Sequence, residues 1–101
     1  MSINRGWKQF ERRIGKILGG ERTWKDDQDF STPYFSGECK LLRDIPKFVY
    51  DRLKQAERNS PEGKFPVCVV KEYGKRDKDS VVMIRLGTFL EILKKGGIID
   101  G

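Results

Sequence analysis

Residues 34–42 read YFSGECKLL, and their alternating pattern decides the predicted fold. Small or apolar residues occupy every second position, at Phe35, Gly37, Cys39 and Leu41. The positions between them hold Tyr34, Ser36, Glu38 and Lys40. Because successive side chains of a β-strand point to opposite faces, this stretch predicts a strand with one apolar and one polar face. Glu38 and Lys40 would then emerge from the same face, while Cys39 points into the core.

Helical patterns lie on both sides of this strand. Apolar residues at helical spacing across residues 7–18 predict a first helix, which a pair of glycines ends. Residues 21–33 predict a short strand and a turn. Apolar positions across residues 45–56 predict a second helix, in which Asp44 caps the amino terminus and Pro46 lies in the first turn.

Two apolar runs in the second half, residues 65–70 and 81–86, predict strands that are covered on both faces. The stretch YGKRDKDS between them predicts a basic hairpin loop. Thr88 and Glu91 have the spacing of a capping box, so we expect a third helix to start there. The order is α-β-β-β-α-β-β-α, which predicts a single α/β domain over residues 1–101 with a central mixed β-sheet flanked by helices.

The chain carries an excess of positive charge. Lys and Arg number 21 against 15 for Asp and Glu, which gives a formal net charge of +6. Such an excess favours a polyanionic partner, first of all nucleic acid, although it can also serve solubility alone. Phosphate binding requires clustered cations, and no recognition helix or zinc finger indicates base reading. The expected DNA contacts are Arg5, Lys8, Arg12, Arg13, Lys16, Lys75 and Arg76.

The sequence contains two cysteines and no histidine. Without histidine, Ser-His-Asp and Cys-His nucleophiles, histidine-bound zinc and histidine-activated water are excluded. Cys39 and Cys68 form no CxxC pair, which predicts buried thiols in a reducing compartment. No apolar run is long enough for a membrane span, and the first residues lack the apolar core of a signal peptide, so we expect a cytoplasmic location.

A second carboxylate is expected beside Glu38. Asp29 precedes a Ser-Thr-Pro turn, after which the chain can return antiparallel as the strand that bears Glu38. Asp26 and Asp27 are alternatives, but Asp29 lies closest to the strand and is followed by an aromatic residue. The two carboxylates could then meet at one metal ion. Glu-x-Lys taken alone, however, also occurs on ordinary solvated strand faces.

These residues suit phosphodiester hydrolysis. That reaction needs an activated water, neutralisation of charge at phosphorus and stabilisation of the leaving alkoxide, and a Mg²⁺ ion held by oxygen ligands supplies most of this. The expected ligands are Asp29, Glu38 and the backbone carbonyl of Cys39, with water molecules completing the coordination. The Lys40 ammonium would orient the attacking water or help to deprotonate it.

Glu11 lies among apolar residues on the first helix. Its neighbours at i−4, i+3 and i+7 are Trp7, Ile14 and Leu18. A carboxylate there requires a partner, because an unpaired buried charge is strongly unfavourable. The expected partner is a metal-bound water, a second metal ion or Lys40. Alternatively, Glu11 sits at the edge of the face and reaches solvent or pairs with an arginine.

Glu11, Asp29, Glu38 and Lys40 follow one another in the order of a known nuclease pattern. A helix with a Glu, a strand with an Asp and a strand with Glu-x-Lys resemble the core of the PD-(D/E)xK nuclease superfamily. Within it, the order, the small size and the basic helix resemble archaeal-type Holliday junction resolvases and their small virus-encoded relatives. The resemblance covers nearly the whole chain, including the stretch QAERNSPEGKFPVCVVKEYG.

The resemblance implies a restriction-endonuclease-like fold and Mg²⁺-dependent cleavage, with Mn²⁺ as a substitute metal. It also implies a homodimer with two sites and branched DNA, such as four-way junctions, as substrate; a virus-encoded member would act in the host cell. Related nucleases often carry a polar residue near the metal on the second helix, which implies that role for Gln55 unless it is an ordinary surface glutamine. The chain departs from the pattern at Gln28, where a proline is usual, and at Gly37, where a branched apolar residue is usual.

Other readings of the same residues remain open. Arg52 lies in the apolar stripe of the second helix, where it contacts a phosphate or a site carboxylate, or else covers the core with its stem. The site also fits a restriction-like or nicking nuclease that acts on duplex or single-stranded DNA. A third function is a DNA-binding module without catalysis, in which the acidic residues are structural.

Overall fold

The computed structural model describes residues 3–22 and 28–100, and its helices and strands follow the predicted order. They are α1 (Ile3–Ile17), β1 (Glu21–Arg22), β2 (Phe30–Ser31), β3 (Ser36–Gly37), α2 (Lys47–Asn59), β4 (Cys68–Val70), β5 (Val81–Met83) and α3 (Leu86–Lys95). A short 3-10 turn, Asp77–Asp79, lies between β4 and β5. The chain is therefore mixed α/β, with three helices and two small antiparallel sheets in its described part. None of these helices is long and apolar enough to cross a membrane.

The strands pair differently from the prediction of one central mixed sheet. β1, β2 and β3 form one antiparallel sheet in that order, and β4 pairs with β5 in a second. Strands that follow one another closely in sequence pair as antiparallel neighbours, whereas parallel pairs require long crossovers. The contacts divide the chain into two compact units, Met1–Arg43 with Lys94–Gly101 and Asp44–Leu93.

In the first unit, α1 ends as its sequence predicts. Gly19 has a φ of 90°, and its N–H donates to the carbonyl of Lys16 at 3.1 Å. The N–H of Gly20 donates to the carbonyl of Gly15 at 2.7 Å. These two bonds form a Schellman motif, in which a residue without a Cβ takes the left-handed conformation. Gly20 also lies so close to the carbonyl of Ser31 that a Cβ would overlap it, so the end of α1 is set against β2.

The core of the first unit includes Leu18, Phe30 and Cys39, each of which is buried. Phe30 and Gly37 are paired across β2 and β3. A Cβ at position 37 would overlap several atoms of the Phe30 ring, so the ring occupies the space that a side chain would take. This contact explains why a glycine stands before Glu38, where a branched apolar residue was expected.

In the second unit, two predicted helix caps are wrong. α2 has Pro46 at its N-cap and no side-chain cap hydrogen bond, because Asp44 lies upstream of the position from which a side chain can reach the first turn. α3 begins at Leu86 rather than near Thr88, and the N–H of Phe89 already bonds to the carbonyl of Arg85 at 2.9 Å. Thr88 therefore lies inside the helix and cannot form the capping box.

The strands of the second unit are shorter and more exposed than predicted. β4 contacts α2 on one side, but the paired residues Val69 and Val82 are exposed. The prediction that both faces are covered is therefore wrong, since α2 covers only part of a two-stranded sheet. Leu86, predicted to end the second strand, instead begins α3.

Candidate functional site

The β2–β3 hairpin brings Asp29 to the segment that contains Glu38. Phe30 pairs with Gly37 and Ser31 with Ser36 in antiparallel register. Asp29 precedes the paired residues of β2 and Glu38 follows those of β3, so both lie at the open end of the hairpin. The antiparallel return predicted from the Ser-Thr-Pro turn is confirmed.

Two hydrogen bonds fix Asp29 at this position. Its Oδ2 accepts a bond of 2.7 Å from the backbone N–H of Cys39. Its own N–H donates to the carbonyl of Gly37 at 2.8 Å. A carboxylate that accepts a backbone N–H makes a charge-assisted bond, which is short and roughly twice as strong as a neutral one. The Asp29 carboxylate is therefore held against the Glu-Cys-Lys segment.

The predicted strand over residues 34–42 is wrong in length. Only Ser36–Gly37 is paired, because β2 opposite contains two residues. The alternation of burial nonetheless continues to position 40: Cys39 is only 7% exposed, whereas Glu38 and Lys40 are exposed. Leu41, expected on the apolar face, is exposed. Glu38 and Lys40 are thus exposed, while Cys39 between them lies in the core.

Lys40 reaches the first helix. Its ammonium nitrogen lies 4.8 Å from the centroid of the Trp7 ring, within the range of a cation–π interaction. Trp7 and Glu11 are separated by one helical turn, so they share a face of α1. The prediction that Glu11 lies on the buried face is confirmed, since this residue is only 8% exposed.

Three carboxylates act on one thiol. Burial raises the pKa of the Cys39 thiol above its ordinary value, and the negative charges of Asp29, Glu11 and Glu38 raise this pKa further. Like charges have such an effect only at short range. Asp29 accepts the hydrogen bond from the N–H of Cys39, and Glu38 precedes Cys39 in sequence, so both carboxylates lie beside this residue. Together with the buried Glu11 we call them the acidic cluster.

The acidic cluster has the right chemistry for a hard cation but is not arranged as a finished metal site. Carboxylate and carbonyl oxygens are the ligands that Mg²⁺ prefers. Within residues 3–22 and 28–100, no three Cys, Asp or Glu side chains are placed so that they could hold one metal ion. Glu38 is exposed, whereas Asp29 is fixed by its hydrogen bond to the N–H of Cys39. Asp26 and Asp27 lie outside the described residues.

The predicted basic ridge lies on α1. Its exposed residues are Lys8, Arg12, Arg13 and Lys16, and the Arg13 guanidinium lies 5.8 Å from the Phe10 ring centroid. The side chain of Arg5 is outside the described part of the structure. These exposed cations are available to phosphates without any change of the fold.

The loop cations lie in the second unit and are engaged in ion pairs. Lys75 Nζ is 3.9 Å from Glu72 Oε2, and Arg76 Nε is 2.9 Å from Asp79 Oδ2. The remaining loop pair joins Lys71 to Asp77 at 2.8 Å. Because these ion pairs are exposed, they are weak, and the role of Lys75 and Arg76 in phosphate binding stays a prediction.

Gln55 and Arg52 interact with each other on α2. Arg52 Nη1 donates to Gln55 Oε1 at 2.8 Å, and both residues are exposed. They belong to the second unit, whereas the acidic cluster belongs to the first. A role for either residue in catalysis or phosphate binding stays a prediction.

Trp7 is the residue of this site that the sequence did not reveal. It was assigned to the apolar face of the first helix, and its contact with Lys40 depends on the tertiary fold. Its place one turn before Glu11 was the available signal, since residues four apart on a helix share neighbours.

Known proteins provide no template for the acidic cluster. Comparison of the chain with protein-family models, with curated proteins and with solved structures gives no match. A function must therefore be inferred from the chemistry of the residues and from the resemblance of their order to the PD-(D/E)xK pattern.

Proposed function

We propose that this protein is a Mg²⁺-dependent, structure-selective DNA endonuclease of the Holliday junction resolvase type. The observation that carries the proposal is the hydrogen bond that holds Asp29 against the Glu-Cys-Lys segment, from which Lys40 extends to the helix that carries the buried Glu11. The order of these residues along the chain supports membership of the PD-(D/E)xK superfamily, and the mixed α/β composition is compatible with its restriction-endonuclease-like fold.

Each residue of the site has a separate role in this proposal. Asp29 and Glu38, with the carbonyl of Cys39, would hold the ion, and bound Mg²⁺ would supply charge neutralisation and a more acidic water. The hydrogen bond from Cys39 fixes one Asp29 oxygen, so that the carboxylate is oriented before the ion binds. Mn²⁺ should substitute for Mg²⁺, since it accepts the same oxygen ligands.

Lys40 and Glu11 would act on the attacking water. The Lys40 ammonium rests near the Trp7 ring, which holds the end of a long flexible side chain close to the acidic cluster. From there it can donate a hydrogen bond to the attacking water and orient it. Glu11 is buried in the same region, and it would bind a metal-bound water, a second ion or the Lys40 ammonium.

The substrate would lie along α1. Lys8, Arg12, Arg13 and Lys16 are exposed and can bind backbone phosphates without reading sequence. Cutting two opposed strands of a four-way junction requires two sites, so we propose that the active form is a homodimer. We expect the protein to act in the cytoplasm, or in the host cell if it is virus-encoded.

A junction cleavage assay tests the proposal. The protein is incubated with a synthetic four-way junction or with the corresponding linear duplex, in Mg²⁺ or in EDTA. We expect paired symmetric nicks in the junction, only in Mg²⁺, with the linear duplex largely spared. Equal cutting of both DNAs would replace the resolvase assignment by that of a restriction-like or nicking nuclease.

Variants separate catalysis from binding. Asp29→Asn and Lys40→Ala should abolish cutting and leave junction binding in EDTA at the wild-type level. Asp51→Asn is the matched control, because Asp51 is an aspartate on α2 that pairs with Lys47 on the surface. This control should cut at the wild-type rate.

A second candidate is a DNA-binding module without catalysis. The four exposed cations of α1, Lys8, Arg12, Arg13 and Lys16, favour it, because they can bind phosphates without a metal ion. In that case the exposed cations of α1 would bind DNA while the acidic cluster only stabilises the fold. Junction binding without cleavage in either Mg²⁺ or Mn²⁺ would establish this candidate in place of the nuclease.

A further inference from the structure

Tyr34 stands at the tip of the hairpin whose open end carries the acidic cluster. The turn is tightly bonded: Thr32 Oγ1 accepts from the N–H of Tyr34 at 3.1 Å and from the N–H of Phe35 at 2.8 Å. The N–H of Thr32 also donates to the carbonyl of Phe35 at 2.7 Å. Tyr34 is nevertheless 67% exposed. A well-bonded turn thus presents a large aromatic ring to solvent.

Helix α1 packs against this hairpin. Near its start, the Trp7 ring contacts the ammonium of Lys40, which follows β3. Just beyond its end, Gly20 lies against the carbonyl of Ser31, next to the turn. The helix therefore passes Lys40 near its start and the turn that contains Tyr34 just beyond its end.

A row of cations follows the same direction. Lys8, Arg12 and Lys16 are four residues apart in sequence, so they form one line on α1, and all three are exposed. At 1.5 Å per residue the line is about 12 Å long. The backbone from Tyr34 to Glu38 spans at most about 14 Å. Since a strand of B-DNA advances about 3.4 Å per nucleotide, both lengths correspond to about four nucleotides.

We propose that Tyr34 stacks on an unpaired DNA base and thereby places the phosphate to be cut, about four nucleotides away, at the acidic cluster. Stacking on an aromatic ring tolerates any base but requires a base whose face is free, as at a branch, a bulge or a single-stranded end. Lys8, Arg12 and Lys16 bind the phosphates between the stacked base and the cut. This inference rests on the proposed nuclease function, and it makes Tyr34 the residue that selects structured DNA.

Fluorescence of an unpaired base tests the stacking without requiring cleavage. The probe is a synthetic duplex with one unpaired 2-aminopurine, and binding is measured in EDTA. Wild-type protein and Tyr34→Phe should quench the 2-aminopurine, whereas Tyr34→Ala should leave it unquenched at saturating protein. Quenching by Tyr34→Ala equal to that by wild type would overturn the inference.

Cleavage in Mg²⁺ tests the positioning. Wild type and Tyr34→Phe should cut about four nucleotides from the unpaired base, and Tyr34→Ala should cut this DNA about 5- to 150-fold more slowly. Tyr73→Ala is the matched control, because Tyr73 is a fully exposed tyrosine in the other unit. It should retain both the quenching and the position of the cut. Cuts by wild type at scattered distances from the unpaired base would overturn the positioning role.

The two readouts distinguish the two hypotheses. If no variant cuts the four-way junction or the duplex with the unpaired base in Mg²⁺ or Mn²⁺, the nuclease proposal fails. Quenching of 2-aminopurine in EDTA still decides whether Tyr34 stacks. If wild type and Tyr34→Ala cut at equal rates and positions, the nuclease proposal stands and the role of Tyr34 is wrong. Thermal unfolding of Tyr34→Ala should match wild type, since the exposed ring contributes little to the fold.

Discussion

The Asp29 carboxylate accepts a hydrogen bond from the backbone N–H of Cys39, with 2.7 Å between Oδ2 and the nitrogen. This bond joins the two segments from which the proposed metal ligands come. Because the donor belongs to the residue between Glu38 and Lys40, the position of Asp29 is tied directly to the Glu-Cys-Lys segment. The same bond makes Asp29 important for stability as well as for the proposed chemistry.

Replacement of Asp29 should separate these two contributions. Asp29→Ala leaves the partly buried Cys39 N–H without its acceptor, which should lower the free energy of unfolding by about 1–3 kcal/mol. Asp29→Asn keeps an acceptor oxygen, so its free energy of unfolding should fall clearly less than that of Asp29→Ala. Urea unfolding of both variants measures the difference. Equal losses for Ala and Asn would mean that the hydrogen bond does not stabilise the hairpin.

Gly37 should not tolerate a side chain. Gly37→Ala places a Cβ inside the Phe30 ring, and overpacking of this kind should lower the free energy of unfolding by about 1–3 kcal/mol. Gly87→Ala is the control, because Gly87 lies in α3 with open space around the Cβ, so this variant should be neutral or slightly stabilising. Thermal unfolding gives both values.

A second substitution identifies the cause at Gly37. In a Phe30→Leu background the ring is absent, so Gly37→Ala should lower the free energy of unfolding less than it does in the wild-type background. The same cost in both backgrounds would show that backbone conformation, rather than the Phe30 ring, requires the glycine.

Neutralising any member of the acidic cluster should lower the pKa of Cys39. Asp29, Glu11 and Glu38 each raise the pKa of this thiol, so Asp29→Asn, Glu11→Gln and Glu38→Gln should each move it back toward the ordinary value. The rate of alkylation against pH, measured in a Cys68→Ala background, reports this pKa. Asp51→Asn should have no effect. If none of the three substitutions changed the pKa of Cys39, the three carboxylates would not lie close to this thiol.

The raised pKa of Cys39 also fixes the sign of a stability change at high pH. Above the ordinary pKa of a thiol, the unfolded chain loses the proton while the folded chain keeps it. The folded state then binds more protons, so this group makes the free energy of unfolding fall as pH rises from the ordinary thiol pKa to the raised one. Cys39→Ala should show a smaller decrease over this window in denaturant unfolding.

The sequence predicted the order of helices and strands, the burial of Glu11 and the return of the chain at the Ser-Thr-Pro turn. Each of these depends on local spacing, in which helical or strand periodicity and turn residues carry the information. The division of the strands into two sheets was not predicted, because runs of two or three residues contain too little pattern to specify a sheet. The caps at Asp44 and Thr88 failed because a shift of two or three residues in a helix start removes a cap.

The contacts that shape the site lie between segments distant in sequence. Two such contacts are the Phe30 ring over Gly37 and the Trp7 ring near Lys40. In neither pair does the sequence around one residue indicate that it meets the other. Periodicity places such residues on a face but does not say which neighbour they meet. The identities of the site residues could therefore be proposed from the sequence, whereas their mutual contacts required the fold.

Trp7 should matter for catalysis more than for DNA binding. Trp7→Leu removes the ring beside the Lys40 ammonium, and loss of a cation–π contact worth about 0.5–1 kcal/mol should slow junction cleavage by about two- to fivefold. Junction binding in EDTA should not change. Phe10→Leu, which removes the ring beside Arg13 instead, is the matched control and should cut at the wild-type rate. A loss of binding equal to the loss of rate would contradict a role through Lys40.

The most direct test of the proposed site is the single-turnover rate of four-way junction cleavage as Mg²⁺ is raised. For wild type and Asp51→Asn, the rate should rise from zero and saturate. Asp29→Asn and Glu38→Gln should remove ion ligands, so they should show no cleavage or require much higher Mg²⁺ while still binding the junction. Wild-type protein that binds the junction but cuts nothing at any Mg²⁺ concentration, or an Asp29→Asn curve that superimposes on that of wild type, would contradict the account.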